Sequence, residues 1–286
     1  MTALSLASRE DAFQATKLAP LASLAMYDWP ELQAANDALW SAIASRLAAR
    51  GLVELPERLT RGADLDAVWT SPALLLAQTC GYPLVTRLKG RVQLVATPRY
   101  RAPGCAGPFR RSAIVVHADA PAQKLSELRG ARCALNEHAS DSGMNLLRAV
   151  VAPLAHGAPY FSEVSVTGSH LASAEAVAAG AADLAALDAV SLAHLRRLQP
   201  RLAQRLRVLE WTDQTPGLPL ITAAGTQPAV LRALQDALVA VAEEPQLAWA
   251  REALLLDGFS PLPLRYYRLT EHLEEQARAL GYPQLL

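Results

Sequence analysis

Short apolar runs alternate with segments of helical periodicity along this chain, and proline- and glycine-containing β stretches interrupt the alternation twice. That pattern belongs to α/β proteins with largely parallel sheets, because a strand that feeds a helix returns to the sheet beside its neighbour. Leu18 to Ala25 reads as a first strand. Pro30 opens a helix whose Leu32, Leu39, Trp40, Ile43 and Leu47 recur near helical spacing until Gly51 stops it. Asp66 to Thr70 is expected as a strand, Ser71-Pro72 as the start of a helix through Ala77, and Val92 to Ala96 as a further strand.

The first interruption, Arg99 to Phe109, joins the run at Val92 to the run Ser112 to Val116, and the second spans Val208 to Ile221. Between them lie the strand-like segments Arg132 to Leu135, Glu163 to Thr167 and Asp183 to Leu187. A helix is expected from Gly143, with others over Leu171 to Ala179 and Ser191 to Leu198. Two crossings predict that the chain leaves one lobe, builds a second and comes back, with residues 1–98 plus 212–286 in lobe one and 99–211 in lobe two. The final third, Pro228 to Glu243, Gln246 to Leu256 and Tyr267 to Leu280, reads as helical.

Composition narrows the function classes. With 286 residues, 51% of them hydrophobic, the chain can bury two cores. Its 27 Lys+Arg balance 27 Asp+Glu, so no basic field draws it to nucleic acid or an anionic membrane surface. No apolar run reaches the roughly 18 to 20 residues of a membrane helix, so a chain not inserted in a membrane is expected. Met1 to Phe13 lacks the basic start of a secretory signal. Cys80, Cys105 and Cys133 are too few and scattered for a disulfide framework, with a Cys80 to Cys105 bridge left open. The six histidines show no i,i+4 pairing and have no cysteine at ligand spacing, so neither a metal nor a cofactor is expected. The short motifs of P-loop, dinucleotide-binding, zincin and nucleophile-elbow enzymes are absent.

The most informative segment is Asn136 to Arg148, NEHASDSGMNLLR. It sets Ser140, Asp141, Ser142 and Gly143 between a strand and a helix start, where unpaired amides and the helix dipole favour an anion. Ordinary capping competes, since Ser and Asp are usual N-cap residues. His170, in Thr167-Gly168-Ser169-His170, and Asp188 also fall at strand ends, where α/β sheets bind ligands and where capping or packing is the alternative. Tyr27, Ser71, Gln78, Tyr82 and Tyr100 fall at turns or crossings and offer apolar area with a directional donor, as cleft residues do. A Ser142, His170 and Asp188 triad can be drawn, yet nothing in the local sequence activates the serine.

Taken in order, Tyr27 after the first strand, Ser71-Pro72, the crossing, the S-x-S-G turn at Ser140 to Gly143, TGSH at Thr167 to His170 and AADLAALDAV at Ala181 to Val190 resemble the phosphonate-binding-protein-like family. These are solute-binding components of bacterial ABC importers, and the similarity covers roughly residues 18 to 225. The resemblance implies a two-lobed periplasmic-binding-protein fold of the second type, with two chain crossings as hinge and a ligand between the lobes. It also implies that Ser140, Ser142 and the Gly143 amide hold an oxyanion, joined by His170, by Asp188 and by the aromatic Tyr27.

Asp141 stands where that pattern has a small hydroxyl residue. A carboxylate there is expected to oppose a dianion, leaving a monoanion, an amino-bearing ligand or an uncharged one open, and Asp141→Thr is expected to strengthen phosphonate binding. The expected function is capture of a small anion or polar solute for an ABC transporter membrane permease, without covalent chemistry. The location is periplasmic if a signal was removed and cytoplasmic on the sequence as given. The alternatives are an enzyme of thiamin-precursor type, with Cys133 or His170 reactive, and a cytoplasmic ligand sensor.

Overall fold

The computed structural model describes residues 18–286, so the expectations for Met1 to Phe13 lie outside the described residues. In the first lobe, β1 (Leu21–Ser23) runs into a single tight turn, Ala25–Tyr27, and Pro30 then opens the approach to α1 (Gln33–Ala49). There follow α2 (Leu65–Thr70), β2 (Leu74–Gln78), the short α3 (Gly81–Val85) and β3 (Val92–Tyr100). The chain crosses through β4 (Cys105–Ala106) and β5 (Phe109–Arg110). The second lobe begins with β6 (Ser112–His117), β7 (Arg132–Leu135), α4 (Leu146–Ala155) and β8 (Glu163–Val166). It continues through α5 (His170–Ala178), β9 (Leu184–Asp188), α6 (Ala189–Leu198), α7 (Pro200–Ala203) and β10 (Leu206–Trp211). The return runs through β11 (Thr215–Pro216) to β12 (Leu220–Ala223), α8 (Pro228–Glu243), α9 (Ala248–Ala253), β13 (Leu256–Ser260) and α10 (Arg268–Ala279).

Two five-stranded sheets result, ordered β1-β2-β12-β3-β13 and β10-β6-β9-β7-β8, while both crossings meet in a small sheet β11-β5-β4. Each large sheet mixes directions, which corrects the expectation of largely parallel sheets. The strands that follow a crossing, β6 and β12, pair antiparallel with both neighbours, and so does β13 at the edge. Each lobe has its own core. Trp40, Ile43 and Leu47 of α1 and Leu234, Leu238 and Val241 of α8 pack with Leu76 and Val95 of the first sheet. In the second lobe, Leu135, Leu147, Val151 and Leu184 cover one sheet face, and Ala134, Val177, Leu187 and Leu195 the other. Strand β9 is therefore buried on both faces, which is why its sequence LAAL is a continuous apolar run rather than an alternation.

The segment from Asp66 to Ala77 has its two elements exchanged relative to the sequence expectation: Leu65–Thr70 is helical and Leu74–Gln78 is the strand. Asp64 decides the first, because its carboxylate caps the helix by accepting the Ala67 amide at 2.9 Å. Pairing on both sides decides the second, with β2 parallel to β1 and antiparallel to β12. The expected helix Gln246 to Leu256 stops at Ala253, and a strand follows it, paired antiparallel with β3. Nor does the last helix stay with the first lobe. Asn145 of the second lobe donates its side-chain amide to the Thr270 carbonyl, and Ala277, Tyr282 and Leu285 join the core of the second lobe.

The topology fixes where a site can be. Strands β8, β7 and β9 are mutually parallel, so the loops after their carboxyl ends, carrying Thr167 to His170, Asn136 to Ser142 and Asp188, emerge at one edge. In the first lobe the parallel pair β1 and β2 delivers Tyr27 and Cys80 in the same way.

Candidate functional site

The loops from both lobes enclose a cavity of about 230 Å³. From the first lobe it is lined by Tyr27, Trp29, Trp69, Cys80 and apolar neighbours. From the second it is lined by Asn136, Glu137, Ser140, Ser142, Ser169, His170, Asp188 and Ser191. One wall is thus aromatic and the other is dense in hydroxyls and amides. Among the described residues no Lys or Arg lines it.

The polar wall begins with the turn singled out in the sequence. Ser140 sits in extended backbone at the helix start, and its Oγ accepts the Gly143 amide at 3.0 Å. The first turn is wide: Asn145 N–H donates to the Ser140 carbonyl and Leu146 N–H to the Asp141 carbonyl, five residues back in each case. Such π turns inside or beside α-helices are frequent at functional sites. The Ser140 and Ser142 hydroxyls are 3.4 Å apart, and Ser142 Oγ is hydrogen-bonded to His170 Nε2 at 2.9 Å. Burial pushes the His170 imidazole down to about 4, so it is neutral at neutral pH, and the Ala186 backbone is a second polar neighbour of the ring. Gly143 is required by close approach: a Cβ there would lie 1.7 Å from Asn136 Oδ1. Gly143→Ala must therefore displace the Asn136 side chain, which lines the cavity. The expected result, read by calorimetry and melting together, is weaker ligand binding with a shift in melting temperature of only a few degrees.

Asp188 caps α6 by accepting the Val190 and Ser191 amides on Oδ1 at 2.9 and 3.0 Å, and the same oxygen accepts the Tyr27 hydroxyl at 2.8 Å. Capping and cavity lining are therefore both true of this residue. The Tyr27 bond joins the two lobes, and burial with the neighbouring carboxylate raises the phenol well above its usual range, so it stays a donor. A second contact across the gap comes from Cys80, whose Sγ accepts the Asp141 amide at 3.2 Å.

The remaining residues expected at the site lie elsewhere. Asp141 does not line the cavity. Its carboxylate is fully buried and turned toward the hinge, accepting from Asn145 Nδ2 at 3.1 Å and Thr215 Oγ1 at 2.9 Å, with Arg110 Nη2 at 3.4 Å. This corrects the picture of a carboxylate facing the anion. Gln78 donates to the Tyr100 hydroxyl and the Leu218 carbonyl, and Tyr100 packs edge-on against Tyr27 at 5.3 Å. Both support Tyr27 from behind, around a separate void of about 30 Å³. Ser71 follows α2, where its Oγ accepts the Ala73 amide, and it does not reach the cavity. Tyr82 is tied to Glu274.

Reading the sequence missed Trp29 and Trp69 as the aromatic wall, and Arg110 behind it. Arg110 left one usable trace: in Phe109-Arg110-Arg111-Ser112 the β alternation gives the two arginines opposite sides, and only one can be solvated. Arg110 is 2% exposed.

A second histidine, His194 on α6, lies near the rings of Tyr27 and Trp29, with both ring nitrogens unpartnered; burial lowers it too to about 4. A base whose folded value lies below its unfolded value of about 6.5 leaves the unfolded state binding more protons between the two. Stability from His170 and His194 is thus expected to fall as pH drops from about 6.5 to 4. Urea midpoints measured at pH 7, 5.5 and 4.5 check this, and His194→Phe is expected to flatten the decline. Among the described residues no cluster suited to a metal ion occurs, and no helix is long and apolar enough to cross a membrane.

A family model described as the periplasmic substrate-binding protein of a phosphonate ABC transporter matches residues 64–267. Solved structures share the fold. PhnD1 from Prochlorococcus marinus (MIT 9301), in complex with methylphosphonate, superposes with a TM-score of 0.72 at 14% identity, over 91% of this chain and 97% of that one. XAC2383 from Xanthomonas citri, bound to chloride ion, gives 0.70 at 19% over the same shares. A binding-protein component of an ABC phosphonate transporter (PA3383) from Pseudomonas aeruginosa gives 0.66 at 14%, over 91% and 95%. No curated protein matches the chain.

Proposed function

Since the chain belongs to the phosphonate-binding family of periplasmic ABC-transporter substrate-binding proteins, we propose that its cavity traps a small phosphonate- or phosphate-like solute between the lobes for delivery to a membrane permease. The oxyanion sits against the Ser140, Ser142 and Ser169 hydroxyls and His170, and the organic remainder lies against Tyr27, Trp29 and Trp69. The hinge is the pair of crossings near residues 98 and 212, with α10 spanning both lobes.

One observation carries the reading: hydroxyls and imidazole from three parallel strand ends converge on a single cavity, and the Tyr27 to Asp188 bond closes it from the opposite lobe. The anion is recognised by neutral donors, since no cation lines the space among the described residues. Glu137 favours ligands that also carry a donor, so an aminoalkylphosphonate is accepted alongside methylphosphonate.

Binding without covalent chemistry fits the same geometry. Ser142 and His170 are paired, but His170 Nδ1 has no orienting carboxylate. Cys133, the other candidate nucleophile, is 0% exposed within the core and pushed up to about 12.

The test is a melting panel of methylphosphonate, an aminoalkylphosphonate, phosphate, a sulfonate and a carboxylate. At about 100 times its dissociation constant, a cognate anion is expected to raise the melting temperature by roughly 5 °C. A flat response to every member sinks the anion reading. Ser142→Ala is expected to weaken binding of the responding anion about 10-fold with little change in melting, because it removes a donor and no core volume. Unchanged affinity in calorimetry would reduce Ser142 to part of the helix start.

A further inference from the structure

Behind the cavity, sharing only Asp188 with its lining, lies a buried charge cluster that bears on what the cavity can hold. Arg110 ends β5 in the hinge sheet, paired in register with Cys105 on one side and Thr215 on the other, so both chain crossings meet at it. Its Nε lies 2.9 Å from Asp188 Oδ2 and its Nη2 3.4 Å from Asp141 Oδ2, while Nη1 has no hydrogen-bond partner. One carboxylate belongs to the cavity wall and to the bond that closes the lobes. The other belongs to the turn that presents the serines.

We propose that Arg110 is a positioning residue of the ligand site, the hidden cation that offsets Asp141 and Asp188 and so allows a cavity with no cation among its described lining residues to receive an anion. The proposal rests on the reading of the cavity as the ligand site. With Arg110 the three side chains sum to a single negative charge, and without it they sum to two, in a region that excludes water and screens poorly. The field of Arg110 reaches the cavity itself. It acts on the cavity-lining groups Tyr27, Cys80 and His170, in each case favouring their less protonated form, and Asp188 opposes it at Tyr27 and His170. Asp141 can stand in the anion turn only because this cation faces it. A threonine at that position would need no such partner.

His170 is a built-in reporter of the cavity potential, readable without ligand. In an NMR titration, Arg110→Met is expected to raise the His170 midpoint by about one pH unit from its depressed position. Arg110→Lys, which keeps the charge, is expected to leave it nearly in place. Calorimetry with methylphosphonate is expected to show a 10- to 100-fold loss in Arg110→Met, partial recovery in Arg110→Met/Asp141→Asn, and affinity close to wild type in Arg110→Lys. If Arg110→Met does not fold, Asp141→Asn is compared with the double variant, where Asp188 keeps its three other donors. Loss of Arg110 must raise His170 there too. An unmoved His170 overturns the proposal, as does a double variant that binds methylphosphonate no better than Arg110→Met. Should the wild type fail to bind methylphosphonate while His170 responds to Arg110, the ligand assignment falls and the role of Arg110 stands.

Discussion

Asp188→Ala is expected to cost about 3 to 5 kcal/mol of stability and to leave the two lobes apart in solution. The stability loss has two sources. A buried arginine loses a partner 2.9 Å away, and breaking a buried pair from one side typically costs that much. Helix α6 also loses the carboxylate that accepts the Val190 and Ser191 amides of its first turn, a cap worth about 1 kcal/mol. The opening follows from a third loss, the Tyr27 hydroxyl, which Asp188 holds across the gap at 2.8 Å. Tyr27→Phe removes only that last bond and is expected to cost about 1 kcal/mol, so the two variants separate the latch from the buried pair. Urea denaturation reads the stability and small-angle scattering the opening. Affinity is the poorer readout, because loss of the latch weakens binding while the uncovered Arg110 strengthens it. A variant within 1 kcal/mol of wild type would show that Arg110 is held without Asp188.

How much of this arrangement the sequence disclosed depends on the range over which each element is determined. Pro30, Gly51 and the spacing from Leu32 to Leu47 are local signals, and α1 lies where they put it. The strand Arg132 to Leu135 and the helix Pro228 to Glu243 match their expected bounds for the same reason. Leu74 to Gln78 is different: five residues, four of them apolar, fit a helix as well as a strand, and only β1 and β12 on either side decide between them. Leu256 to Ser260, with Gly258 at φ +139, carries no strand signal of its own and is ordered by β3.

The site divides in the same way. Ser140, Ser142, His170 and Asp188 announce themselves because each follows a strand, and strand ends in a parallel sheet share an edge. The direction of Asp141 was not legible, because the wide helical turn and the cation it faces, 31 residues earlier in the chain, are tertiary facts. The Ser71, Gln78 and Tyr100 positions are turn and crossing residues, as expected, but whether such a residue faces a cavity depends on the packing of Tyr27 against Tyr100 and of Trp69 against the Gln78 carbonyl.

Asp141→Thr brings these strands together, because a carboxylate facing the anion and one facing Arg110 predict opposite changes in stability. Were Asp141 pressed against the ligand space, its removal would relieve a desolvated charge and leave the fold as stable or more so. In the observed geometry it accepts from Asn145 and Thr215 and faces Arg110 with no exposure to solvent. Threonine there strands a buried guanidinium with one partner and frees two donors, an expected loss of about 3 kcal/mol in urea denaturation. Anion affinity is expected to rise modestly in both cases, through the cation that threonine uncovers in the present geometry and through lost repulsion in the other. Affinity alone therefore cannot decide the matter, and stability can. A threonine variant as stable as wild type would mean that Asp141 does not anchor Arg110 and that the turn presents its carboxylate to the ligand after all.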